Sequence, residues 1–159
     1  MPTLSCRLLT CLLLLAAPGC ISSGNSPSES LLYAVRDFNT ELRWGRYDQI
    51  APYLRPEVRD RYLEQLQSLG EDVEVVDQEL TQIALTGPEQ ATARVQWSWT
   101  SKKRGLLERT SLKQHWGLAR GRWVLLRQER MAGPPLKPLE DPTAQATDGG
   151  APRRDGGVG

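Results

Sequence analysis

At Gly70 the hydrophobic period of this chain changes from 3.6 residues to 2, and that switch constrains the fold more than any other feature. Before it, Leu31, Val35, Phe38 and Leu42 recur at helical spacing, with Ala34 on the same side. After it, Ala91, Ala93, Val95, Trp97 and Trp99 alternate with Thr92, Arg94, Gln96 and Ser98, as in a strand with one covered and one wet face. Helices first and antiparallel strands second, packed on one core, make an α+β arrangement.

The first helix has clear ends. Ser26-Pro27-Ser28-Glu29 has the form of a capping box with Pro at the first helical position, and Gly45 suits a left-handed C-cap. A short second helix is expected over Arg46–Leu54. A third starts near Pro56 with Glu57 and Asp60 at its positive end, carries Val58, Tyr62, Leu66 and Leu69 as its apolar stripe, and stops at Gly70. Trp44, Tyr47 and Tyr53, at the helix junction, are expected to pack under the sheet or at its rim.

The strands follow in order. Val73, Val75, Val76, Leu80, Ile83 and Leu85 lie on a long, irregular first strand, which predicts a bulge. Gly87-Pro88 is a turn, and Glu89–Thr100 is the second strand. Leu106–Leu118 and Arg122–Met131 are the third and fourth, joined by a two-residue hairpin turn at Arg120-Gly121. A tight turn pairs Leu118 with Trp123, Trp116 with Leu125, and Gln114 with Arg127. That register puts Glu108, Thr110, Leu112, Gln114 and Trp116 on the inner face. Opposite them it puts Trp123, Leu125, Arg127, Glu129 and Met131, with Arg109, Ser111, Lys113 and His115 outside.

The two ends of the chain differ from this middle. Arg7, the apolar run Leu8–Ala17 and the small residues before Cys20 have the order of a secretory signal, too short to span a bilayer. The Ala17-Pro18-Gly19-Cys20 ending resembles the lipobox of bacterial lipoproteins, although that family usually has Leu three residues before the cysteine and rarely Pro two before it. The resemblance implies cleavage after residue 19, acylation of Cys20 and membrane attachment through the lipid. Residues 20–28 are then a tether. In a diderm bacterium, Ile21 in place of the Asp that causes inner-membrane retention implies the outer membrane, with the protein facing the periplasm. At the other end, residues 134–159 are rich in Pro and Gly and poor in large apolar side chains, and read as a disordered tail. The folded domain is expected over residues 29–133.

Charge and cysteine content exclude several functions. The formal net charge is +1, without the one-sided basic field of a nucleic-acid binder, and Lys102-Lys103-Arg104 reads as a solvated loop tip. Of the three cysteines, Cys6 and Cys11 fall in the signal, so Cys20 alone remains and no disulfide forms within one mature chain. Neither a metal site nor a cofactor is expected. No phosphate-binding glycine loop, Gly-x-Ser-x-Gly, His-Glu-x-x-His or calcium loop is present.

The helix, the segment WGRYDQIAPYLRPEVRDRYLEQLQSL and the closing QHWGLARGRWVLLRQE together resemble the nuclear transport factor 2-like superfamily over about residues 29–131. The resemblance implies a strongly curved sheet wrapping the first helix into a cone, with a pocket at its open end. It implies no catalytic residue here, because none of the superfamily's acid–base sets falls on matching positions. The candidate ligand pocket is Trp97, Trp99, Gln114, Trp116, Arg127 and Glu129, with Arg127 and Glu129 either pairing at a wet rim or orienting a polar ligand. His115 reads as a surface residue. Three functions compete. The first is a non-catalytic module that dimerises or docks an envelope protein on an apolar sheet face. The second is a carrier of a small apolar ligand in the cone. The third is an isomerase- or cyclase-like enzyme, for which Glu108, Glu129 and His115 are the ionisable candidates.

Overall fold

The computed structural model describes residues 26–140. Helix α1 spans Pro27–Arg43; Ser26 Oγ accepts from the Glu29 amide at 3.2 Å. It ends at Gly45, φ 69°, where the Gly45 and Arg46 amides donate back to Leu42 and Glu41 and close the last turn. The expected second helix is split into α2, Tyr47–Ile50, and a 3₁₀ turn at Ala51–Tyr53, because Pro52 cannot donate into an α-helix. Helix α3 spans Pro56–Gln67 and the short α4 spans Leu69–Asp72, so Gly70 lies inside α4 rather than ending α3.

Four antiparallel strands follow in sequence order, β1 Val73–Gly87, β2 Gln90–Ser101, β3 Leu107–Ala119 and β4 Arg122–Ala132. Strand β1 slips register between Val75 and Asp77, Leu80 and Gln82, and Leu85 and Gly87, which curves the sheet edge over α1. The core runs from Leu31, Val35, Phe38 and Leu42 of α1 to Val95, Trp97, Leu112 and Trp116 of the sheet, all essentially inaccessible. Phe38 meets Trp116 edge to face, with ring centroids 5.5 Å apart. The α+β architecture and the inward placement of the four sheet tryptophans are as expected.

The β3–β4 register departs from expectation. Arg120 and Gly121 both take positive φ, 51° and 76°, as a primed two-residue turn requires, and Leu118 pairs with Trp123 and Trp116 with Leu125. Then Leu126 bulges out, so His115 faces Arg127 and Gln114 faces Gln128. One extra residue reverses the side chains that follow it, up to a second extra residue at Met131. Arg127 and Glu129 therefore leave the inner face for the outer one, Gln128 enters the interior, and Met131 is 49% exposed.

The packed region also continues past the expected boundary at 133. Leu136 and Leu139, beside and within a 3₁₀ turn at Lys137–Leu139, are buried in the main core. Residues 134–140 thus form a strap across the cone rather than the start of a tail. Residues 1–25, with the expected signal and Cys20, and 141–159 lie outside the described residues.

Candidate functional site

The cone interior is closed and polar at its heart. Gln114, from the middle of β3, exchanges two hydrogen bonds with Asn39 of α1: Nε2 donates to Asn39 Oδ1 at 2.8 Å, and Oε1 accepts from Asn39 Nδ2 at 3.1 Å. Asn39 Nδ2 also donates to the Val35 carbonyl, and Trp116 Nε1 donates to Gln114 Oε1 at 3.3 Å. Gln114 Nε2 donates in addition to Gln128 Oε1 at 2.6 Å, and Gln128 Nε2 donates to Tyr62 Oη at 2.9 Å and to the Leu139 carbonyl of the strap. A ladder of amides thus runs from helix α1 through the sheet to α3 and the strap, and buried amides are tolerated because each is satisfied. Trp99 Nε1 donates to Thr110 Oγ1, whose proton goes on to the Pro134 carbonyl at 2.7 Å.

Of the six expected pocket residues, four meet inside: Trp97, Trp99, Gln114 and Trp116. They pack against one another and against α1 rather than around an open space. Among the described residues, no Asp, Glu, His, Lys or Arg joins the fully buried set. Glu108 stays at the rim, paired with Arg104 at 3.3 Å. Two polar atoms of the interior, Trp97 Nε1 and Gln78 Oε1, are buried without a partner on directly paired residues of β2 and β1. Asn39 and Gln128, which carry the ladder with Gln114, were missed by sequence reasoning, and Tyr62, expected on the apolar stripe of α3, adds a hydroxyl to it.

Arg127 and Glu129 instead form an outer cluster with His115 and Lys113. His115 Nε2 and Glu129 Oε1 are 2.8 Å apart, Arg127 lies 3.8 Å and Lys113 3.9 Å from the same carboxylate, and Arg127 reaches His115 at 3.3 Å. The His115 hydrogen bond, opposed by partial burial and helped by Arg127 and Lys113, holds the Glu129 carboxyl below its ordinary value. Its stabilisation is therefore present above that ordinary value near 4.5 and is lost as pH falls through the lowered folded value. Replacing Glu129 by Gln is expected to cost no more than ~1 kcal/mol at neutral pH, because the group is solvent-screened. The difference should disappear in acid, as urea titrations of both proteins across that range would read.

The outer sheet face around this cluster is mostly polar and charged, carrying Arg94, Gln96, Ser98, Arg109 and Lys113, with Leu107 and Met131 exposed beside them. Trp44, expected to pack near the rim, is 62% exposed with the Arg43 guanidinium 5.2 Å from its ring. Tyr47 and Tyr53 do pack on the core. Tyr53 donates to Asp37 Oδ2 at 2.6 Å, and burial, reinforced by that carboxylate, pushes its phenol up to about 12. Lys102 and Lys103 are tied to the Gly70 carbonyl and Asp72.

At the hairpin end of the sheet the surface opens into a groove of about 540 Å³ between the start of α3 and the β1–β2 and β3–β4 turns. Four guanidinium groups line it, Arg55, Arg59, Arg120 and Arg122, with the carboxylates Glu57 and Glu89. Leu54, Val124 and the bulged Leu126 give it an apolar floor. A second cleft of about 320 Å³ adjoins it, sharing Pro52 and Arg122 and reaching Ser30 and Tyr33 of α1. Among the described residues, no group of three or more His, Cys, Asp or Glu is placed to hold a metal ion, and no helix is long and apolar enough to cross a membrane.

No protein-family model matches the chain, and no curated protein matches it. Solved structures do match it in fold. A ketosteroid isomerase-like protein from Erwinia carotovora atroseptica superimposes with a TM-score of 0.54 at 15% identity, over 69% of this chain and 99% of that one. A nuclear transport factor 2-like protein from Cytophaga hutchinsonii gives 0.55 at 9% identity, over 68% and 99%. Another, of unknown function, from Shewanella oneidensis gives 0.52 at 10% identity, over 66% and 98%. The chain therefore has the nuclear transport factor 2-like fold, three principal helices on a curved four-stranded antiparallel sheet, and at these identities the likeness speaks to fold alone.

Proposed function

We propose that this chain is a lipid-anchored, non-catalytic binding module of the cell envelope, held to the membrane through Cys20 and facing the periplasm. The observation that carries the non-catalytic part is the filled cone. Where a cone-shaped fold has room for a substrate, this one has Trp97, Trp116, Phe38 and the Asn39–Gln114–Gln128 amide ladder, closed over by Leu136 and Leu139. Amides with satisfied donors and acceptors cannot move a proton at neutral pH, and the ionisable group of the ladder, the Tyr62 phenol, is already engaged by Gln128 Nε2, which counts against general acid–base chemistry there. The same packing counts against a carrier of a small apolar ligand inside the cone. The charged outer sheet face counts against docking through an apolar sheet patch, which leaves the hairpin-end groove as the favoured binding surface.

The anchoring part rests on the order of residues 1–20: a basic start, a short apolar run, small residues and Cys20. More than one acyl chain on that cysteine satisfies the requirement for stable attachment, which a single chain does not meet. Native mass spectrometry of the protein from envelope membranes, beside a Cys20→Ser variant, tests both parts. Acyl mass on the wild type alone, with no small molecule retained, is the expected result. A wild type without acyl mass would remove the anchor, and a retained apolar molecule would replace the module with a carrier.

A further inference from the structure

The four arginines of the hairpin-end groove share one concavity without a carboxylate partner; among the described residues Arg36, Arg61, Arg94 and Arg109 also form no ion pair, but none of them lines it. Arg43, Arg46, Arg104, Arg127 and Arg130 each face a carboxylate within 4 Å, yet among the described residues Arg55, Arg59, Arg120 and Arg122 form no ion pair. Glu57 and Glu89 line the same groove without bridging to them. Arg55 and Arg59 make only long bonds of 3.4 Å, to the Leu126 and Leu54 carbonyls, and Arg59 Nε is buried without any partner. Four cations against two anions, one of the cations with a buried idle donor, leave an excess of positive charge above an apolar floor. That combination fits an anion with an apolar body rather than a bare inorganic ion.

The groove's place in the molecule narrows the ligand further. Trp123 Nε1, just after the β3–β4 turn, donates to Ser30 Oγ in the first turn of α1, so the arginine-bearing hairpin lies beside the point where the chain enters the domain. Five residues, 21–25, separate Cys20 from Ser26. They reach about 20 Å at full extension, so an acylated Cys20 keeps this end of the cone close to the bilayer. Strand direction puts Lys102 and Lys103 at the opposite end, in the β2–β3 turn.

We propose that the groove formed by Arg55, Arg59, Arg120 and Arg122 takes the anionic headgroup of a membrane phospholipid, with Leu54, Val124 and Leu126 receiving the start of its glycerol or acyl part. This rests on the anchored reading above for its geometry but not for its chemistry. Two roles follow: the contact orients the tethered domain on the membrane, and it adds an electrostatic attachment to the covalent one.

The test uses the mature chain, residues 20–159, carrying Cys20→Ser, which cannot be acylated, and flotation with vesicles of phosphatidylcholine alone or mixed with phosphatidylglycerol. Binding to the mixed vesicles only, weakening as salt is added, is expected. Arg55→Gln with Arg122→Gln should weaken it about 25-fold, at about fivefold for each arginine near an anionic surface. Arg55→Lys with Arg122→Lys should restore most of the binding, which separates lost charge from lost folding. Lys102→Gln with Lys103→Gln removes as much charge at the far end and should change nothing. Equal binding to both vesicles, or equal loss from the lysine pair, overturns the proposal. Full competition by soluble glycerol phosphate would assign the groove to a free phosphate ester instead and overturn the lipid assignment. The anchor stands or falls separately: acyl mass with no anionic preference leaves the anchor and removes the groove, and anionic preference without acyl mass does the reverse.

Discussion

Replacing Gly133 by alanine is expected to cost about 4 kcal/mol, near the upper end of what a single substitution does to a domain of this size. Gly133 turns the chain from β4 into the strap at φ 88°, a conformation that disfavours any side chain. A Cβ there would lie 2.0 Å from the Arg109 carbonyl oxygen and 2.9 Å from Thr110 Cα, both backbone atoms of β3 that cannot swing aside. Relief requires the strap to lift. Lifting it exposes Leu136 and Leu139, at about 2 kcal/mol or more each, and breaks the bond from Thr110 Oγ1 to the Pro134 carbonyl. It also frees the Leu139 carbonyl from Gln128 and the Glu140 carboxylate from Arg130. Gly105 provides the comparison: its φ is 65°, but nothing lies within 4 Å of a Cβ placed there. Gly105→Ala should therefore cost about 1 kcal/mol from backbone conformation alone. Urea denaturation of both proteins decides the matter, and equal costs would mean that the strap contributes little to the fold.

How far the sequence discloses this structure depends on what carries the signal. Burial itself writes the helical and alternating periods, so α1, α3, the four strands and the inward tryptophans are legible. The bulge at Leu126 is not, because Leu125 and Leu126 are equally fit to face the core and the pattern permits either register. The hint is across the ladder. Gly117 has no side chain, and a Cβ there would come within 3.1 Å of Leu126 Cδ1, so glycine makes the room that the bulged leucine fills. Once that shift is taken, Arg127 and Glu129 go out and Gln128 comes in. In the run Arg127-Gln128-Glu129-Arg130, the glutamine is the residue that costs least to bury when its hydrogen bonds are met. The strap escaped for a different reason: two leucines among prolines show no period, and their burial is visible only once the cone they close exists. The groove escaped because its arginines come from the N-cap and first turn of α3 and from a distant hairpin, at positions 55, 59, 120 and 122, and no local run of charge announces it.

Gln114→Ala is the second large effect, expected at about 4 kcal/mol from a cavity together with orphaned partners. The side chain is fully buried, and its removal leaves Asn39 Oδ1, Trp116 Nε1 and Gln128 Oε1 without the group that now satisfies them. Gln114→Leu fills most of the volume and still orphans those atoms, so about 2 kcal/mol should remain, which separates the polar cost from the cavity. The decisive variant is the double change Gln114→Leu with Gln128→Leu. If the amides form one network, the double should cost at least about 1 kcal/mol less than the sum of the singles, since each single leaves the other amide unpaired. Additive costs would mean that the two glutamines act independently and that Tyr62 and Leu139 alone fix Gln128. The same variants bear on function, because the ladder lies in the interior and the arginine groove on the surface beyond the bulge. A folded Gln114→Leu protein should retain its preference for anionic vesicles. Loss of that preference in a folded protein would join the interior to the groove and revive a binding role for the cone.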